Sequence, residues 1–152
     1  MPAAAQLVFV GELNPYGIDP KFALYHQPRG ASGDRLRAHL GLRDATYARI
    51  TKINLCVGAW SVHDARARAQ ALLESMAGAN AVLVLLGAKV RRAFGGPPSF
   101  TLWEGSMDRP TLIGLPHPSG RSVTWNQEGA RDIARALLRM AVPGVPWGEV
   151  DA

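Results

Sequence analysis

"AVLVLLG", residues 81–87, is the stretch that decides the fold. Six apolar residues run without a polar break and stop at a glycine. A half-exposed strand alternates apolar and polar side chains, and this run does not. Unbroken apolar runs of strand length belong to parallel strands covered on both faces. Three further runs have the same character: "QLVFVG" (6–11), "ITKINLCVG" (50–58) and "TLIGLP" (111–116). Parallel neighbours need long crossovers, and helical patterns stand between the runs. Ser61-Val62-His63-Asp64 is a capping-box signature. It opens a helix with Ala65, Ala69, Leu72, Leu73 and Met76 on one face and Gly78 at its end. Ala130, Ile133, Ala134, Leu137, Leu138 and Ala141 repeat at helical spacing, with Asn126 as the expected cap. Shorter helices are expected over 33–40, after Ser32, and over 88–94, before Gly95-Gly96. "SFTLW" (99–103) reads as an edge strand. The alternation predicts one α/β domain over 1–152, a three-layer α/β/α sandwich around a four-stranded parallel sheet. Ligands of such sheets bind beyond the carboxyl ends of the strands.

Composition narrows the function classes. Of 152 residues, 47% are apolar and 19% charged, the balance of a globular protein and not of a disordered one. The longest strongly apolar stretch, 81–86, is far short of the roughly 18 residues a membrane span needs. The N-terminal stretch has no basic region ahead of its apolar run, so neither a signal peptide nor a membrane is expected. Cys56 is the single cysteine. It cannot form an internal disulfide, and it excludes a cysteine-ligated iron–sulfur cluster or a four-cysteine zinc site. A buried core role for Cys56 and a reducing, cytoplasmic setting are expected. The net charge of +5 and a pI of about 10.0 favour a polyanionic partner, nucleic acid first. An arginine-rich composition gives the same signal without such a partner.

The loops after the four runs hold the polar residues. The first is followed by "GELNPYGIDP", the second ends in Asn54-Leu55-Cys56, the third leads into "GAKVRRAFGG", and the fourth into "PHPSGRSVTWN" (116–126). This pattern resembles the uracil-DNA glycosylase superfamily. The first motif of that family, G-x-(D/N)-P-(Y/G), is matched by Leu13-Asn14-Pro15-Tyr16. Its last, (H/N)-P-S-(P/G), is matched by His117-Pro118-Ser119-Gly120. Asn54 matches an asparagine at the end of the second strand, and "VLVLLGAKV" matches the third strand with its glycine loop. The resemblance spans about residues 6 to 125. The first motif is one residue longer than usual, through Gly11-Glu12-Leu13. Asn14 stands where many members carry aspartate, as in the mismatch-specific and single-strand-selective branches.

Hydrolysis of an N-glycosidic bond requires the nucleotide to be extruded, its base held, the negative charge on the leaving base stabilised and a water placed. His117, fixed between two prolines, suits the second-last task, because a rigid donor needs little reorganisation. Its alternative is a loop histidine capping a backbone carbonyl. The resemblance makes Asn14 the water-positioning residue; its amide does not titrate, and its alternative is an Asx turn before Pro15. Glu12 is the other candidate for the water, or else a solvated loop carboxylate. Asn54 offers a donor and an acceptor on one plane, which fits a pyrimidine edge, as in the family, or a strand-end backbone contact. By analogy Tyr16 crowds the pyrimidine C5 position, and Phe22 or Tyr25 forms the floor under the base, unless both are core. The resemblance puts Arg121 at the wedge that fills the gap left by a flipped base. Gly87, Lys89, Ser119 and Gly120 complete the expected DNA contacts. Lys89, Arg91 and Arg92 read as phosphate contacts or as a solvated helical face, and Arg66 and Arg68 as surface.

These readings imply a monomeric, monofunctional DNA glycosylase acting on uracil or a related damaged base. No lysine stands in the motifs to act as a Schiff-base nucleophile, and no cofactor or metal is expected. Two alternatives remain. One is a weak or inactive relative that binds nucleic acid or abasic sites. The other is an enzyme of the same fold that cleaves a free nucleoside or nucleotide.

Overall fold

The computed structural model describes residues 5–13, 23–27, 29–119 and 123–150. Five strands, β1 (Gln6–Gly11), β2 (Thr51–Asn54), β3 (Ala81–Leu86), β4 (Thr101–Trp103) and β5 (Thr111–Leu115), form one sheet in the order β2-β1-β3-β5-β4. The pairs β1·β2, β1·β3 and β3·β5 are parallel. The four expected strands are therefore present and parallel, but the four-stranded parallel sheet is corrected to a five-stranded mixed one. The edge strand β4 runs antiparallel to β5, with Leu102 opposite Ile113. A tight turn closed by a bridge between Ser106 and Arg109 joins them, and only antiparallel neighbours can be joined that closely.

Among the described residues five helices accompany the sheet: α1 (Ser32–Leu40), α2 (Asp44–Arg49), α3 (Val62–Met76), α4 (Ala88–Phe94) and α5 (Ala130–Ala141). Alternate residues of the central strands feed two separate cores. Leu7, Phe9, Val82, Val84 and Leu86 pack with Leu36 and Leu40 of α1, Tyr47 of α2, and Ala134 and Leu138 of α5. Val8, Val10, Leu83 and Leu85 pack with Ala65 and Ala69 of α3 and Val90 and Phe94 of α4. All six residues of β3 are buried. A strand covered on both faces has no position for a polar residue, which is why its sequence has none.

Local chemistry sets the helix ends. The Ser61 Oγ accepts the Asp64 N–H at 3.2 Å and starts α3. The helix ends at Met76, and Gly78 turns the chain with φ 78°. The expected cap of α5 is corrected. Asn126 closes a short 3₁₀ turn (Thr124–Asn126), and Gly129 at φ 79° is the residue before Ala130. The left-handed conformation that glycine adopts freely sets the start of this helix, not an asparagine side chain. Helix α2 has no counterpart in the sequence reading. Its single buried side chain is Tyr47, whose hydroxyl donates to the Leu24 carbonyl at 2.6 Å. The Lys52 ammonium caps the end of α2 by donating to the Tyr47 and Ile50 carbonyls at 2.6 and 2.7 Å. Among the described residues no helix is long and apolar enough to cross a membrane.

The topology marks one place for a ligand. The connection from β1 to β2 carries α1 and α2 on one face, while that from β2 to β3 carries α3 on the other. The chain thus changes sides around β1, and the crevice expected at such a switch point lies beyond the carboxyl ends of β1 and β3.

Candidate active site

Three residues meet at this crevice, one from each of three strand ends. Glu12 follows β1, Gly87 follows β3, and His117 follows β5. A Cβ placed on Gly87 would lie 3.2 Å from His117 Cβ, 3.3 Å from His117 Cδ2 and 3.5 Å from Glu12 Oε1. The imidazole and the carboxylate therefore converge on the backbone of Gly87, which has no side chain to separate them. Gly87 also holds φ 97° and ψ 160°, a conformation that is essentially glycine's alone.

The His117 loop is fixed from several directions. The Gly87 N–H donates to the Leu115 carbonyl at 2.9 Å. The Trp125 indole N–H donates to the Pro116 carbonyl at 3.2 Å, and Pro116 and Pro118 are buried. Trp125 is itself held by the His39 ring, stacked at 4.4 Å and nearly parallel. Burial, with the Arg131, Arg35 and Arg135 charges, pushes the His39 imidazole down to about 4, so it stacks as a neutral ring.

Hydrogen bonding and burial together set the state of His117. Its Nδ1 accepts the Ser119 N–H at 3.0 Å, so the proton of the neutral ring sits on Nε2. Burial holds its imidazole below the usual histidine range; the Glu12 carboxylate opposes this shift and the Lys89 ammonium adds to it. A neutral ring with an Nε2–H donor results. The Cδ2 edge, which carries Nε2, faces Gly87.

Asn54 stands on the other flank. It pairs in register with Gly11 at the end of β1, and a Cβ on Gly11 would lie 2.8 Å from Asn54 Oδ1. The pairing continues past the strands, with Leu55 N–H to Gly11 O at 3.0 Å and Cys56 N–H to Glu12 O at 3.1 Å. Arg68 Nη1 ties the same loop by donating to the Leu55 carbonyl at 2.8 Å. Asn54 Oδ1 is buried and has no hydrogen-bond partner among the described residues. Strands β2 and β5 are three strand spacings apart, roughly 14 Å. Asn54 and His117 thus flank the crevice, with Glu12 and Gly87 between them.

Of the residues singled out from sequence, Glu12, Gly87, His117 and the Ser119 backbone are brought together, and Asn54 faces them across β1. Lys89 lies next to this group, close enough for its charge to act on His117. Tyr25 is half-buried, its ring 4.8 Å from that of His26, and it follows Leu24, whose side chain packs over Gly11. Asn14, Tyr16, Phe22, Gly120 and Arg121 lie outside the described residues. Cys56 is buried, as its core reading required. Arg68 is more than surface, since it ties the loop after Asn54. Trp125 was not singled out; its signal was a buried indole whose N–H must find an acceptor. Among the described residues no group of three or more His, Cys, Asp or Glu stands where it can hold a metal ion. No protein-family model and no curated protein matches the chain.

Proposed function

We propose that this chain is a cytoplasmic, monomeric DNA base glycosylase of three-layer α/β/α architecture, hydrolysing the N-glycosidic bond of uracil or a related modified base. The observation that carries the reading is a neutral imidazole, with its proton on Nε2, beside a carboxylate at the switch-point crevice. An Nε2–H donor is suited to an oxygen that gathers negative charge as the base leaves. A neutral donor gains interaction as that charge develops, so its effect falls on the transition state. The buried and unpartnered Oδ1 of Asn54 supports the same reading. A buried acceptor without a partner is costly, and the N–H on a pyrimidine edge satisfies it.

In this account the C1′–N bond breaks with its electron pair going to the base. His117 stabilises the anion. Water adds to the C1′ of the oxocarbenium-like sugar, and the Glu12 carboxylate takes the proton that the water loses, which passes to the departing base. Asn14 orients that water. Tyr16 and Phe22 or Tyr25 shape the base pocket, and Arg121 fills the vacated stack. The test is single-turnover release of base from oligonucleotides that each carry one uracil, hypoxanthine, xanthine or mismatched thymine. Release of at least one base is expected. Binding without release identifies a binding protein of the same fold, and release from mononucleotides alone identifies a nucleotide N-glycosidase.

A further inference from the structure

A second feature adjoins the crevice. Trp60, Val62, Arg66, Lys89, Arg92 and Ala93 line a cleft of about 100 Å³ between the start of α3 and α4. Three cations and an indole meet there, and no carboxylate lines it. Lys89 Nζ stands 5.8 Å from the centre of the Trp60 ring. The ion pairs among the described residues involve Arg37 with Asp34 and Asp44, so Arg66, Lys89 and Arg92 have no carboxylate partner there. Like charges held around one small space repel each other unless an anion sits between them. A cleft of about 100 Å³ has room for one phosphate. Val62, which lines the cleft with Trp60, is 58% exposed. With the indole it makes an apolar shelf bordered by the cations.

We propose that this cleft binds one backbone phosphate of a nucleic-acid strand while Trp60 stacks the unpaired base next to it. Lys89 couples the two places, because its charge reaches His117 on one side and the Trp60 ring on the other. Placing this nucleotide beside the one whose base enters the crevice rests on the glycosylase reading; the cleft itself does not. A strand with free base faces can use the shelf, whereas a duplex has those faces already stacked. The site therefore favours single strands.

The test is fluorescence anisotropy with a labelled, undamaged ten-nucleotide oligothymidylate at several salt concentrations. Trp60→Ala is expected to weaken binding about tenfold, the scale of one lost base–aromatic stack, with the salt dependence unchanged. Arg66→Gln and Arg92→Gln together should lower the slope of log affinity against log salt by about 0.7, the value for one phosphate contact. Arg109→Gln, in the turn at the far end of β5, should bind as wild type does. A duplex of the same length should bind more weakly than the single strand, by a margin that Trp60→Ala removes. Thymidine monophosphate and inorganic phosphate should compete only at far higher concentration than the strand. The proposal is overturned if Trp60→Ala and Arg92→Gln bind like wild type. It is also overturned if the monophosphate binds as tightly as the ten-mer, which marks a site for a small phosphorylated ligand. Uracil release in the same variants separates the two readings. Trp60-dependent strand binding without release by wild type keeps the cleft and removes the glycosylase. Release with binding indifferent to Trp60 and Arg92 removes the cleft alone.

Discussion

Replacing Gly87 by alanine tests the convergence of Glu12 and His117 directly. Two costs add. The backbone at φ 97° and ψ 160° is closed to residues with a Cβ, and holding one there costs about 1–3 kcal/mol. The new methyl also lands 3.2–3.3 Å from two carbons of His117, and this ring cannot easily retreat, because its loop is tied by Trp125. With about 1–3 kcal/mol for the overpacking, the costs together come to about 2–6 kcal/mol, which at 2–4 °C per kcal/mol for a chain of this size lowers the melting temperature by about 4–24 °C. Gly129→Ala is the matched control. Gly129 also has positive φ, 79°, but nothing stands within 4 Å of its Cβ position, so only the backbone cost of about 1 kcal/mol applies. Calorimetry gives the melting temperatures, and NMR of the histidine ring protons reports on His117. Gly87→Ala should shift the His117 signals and slow base release tenfold or more, while Gly129→Ala should do neither. Equal melting temperatures for Gly87→Ala and wild type, with unmoved His117 signals, would refute this packing.

Further consequences follow from the supports around the site. Trp125→Phe removes the indole donor and leaves the Pro116 carbonyl without it, so a loss of about 1–3 kcal/mol and slower base release are expected by thermal melting and single-turnover assay. Gly33→Ala drives a methyl into the Leu24 and Tyr25 carbonyls, and circular dichroism should show the largest loss of stability of the glycine variants. Stability should also fall on acidification. His39 takes its proton at about 4 in the folded protein against 6.5 in its ordinary state, so between these values the unfolded chain binds more protons and is favoured as pH falls. His117, shifted in the same direction, adds to this slope. Denaturant titrations from pH 7 to 4 should show the decline, and His39→Gln should flatten it.

The sequence made the central strands legible because each unbroken apolar run reports a strand buried on both faces. It also located the ends of those strands, and so Glu12, Asn54, Gly87 and His117. Shorter elements were harder. Helix α2 has six residues and a single buried side chain, too few for a helical period. The start of α5 was misread because asparagine is a favoured cap, whereas Gly129 makes the turn through its backbone. The direction of β4 depends on a turn, not on the composition of the strand. The Trp60 cleft joins the start of α3 to α4, elements separated in sequence by β3, and no local pattern encodes it; the Trp125–Pro116 bond spans nine residues of one loop and depends on how that loop folds back. The tautomer of His117 could not be read either, since it follows from a single N–H at Ser119.

The most direct measurement is single-turnover base release from a uracil-containing oligonucleotide by wild type, His117→Ala and Glu12→Gln. The account predicts measurable release by wild type and a loss on the order of 10²–10³ for His117→Ala, the cost of removing one donor aimed at developing charge. Strand binding should be nearly unchanged, because that contact strengthens only as the bond breaks. Glu12→Gln should slow release as well. No release of uracil by wild type, or release by His117→Ala at the wild-type rate, would contradict the assignment of this crevice as a glycosylase active site.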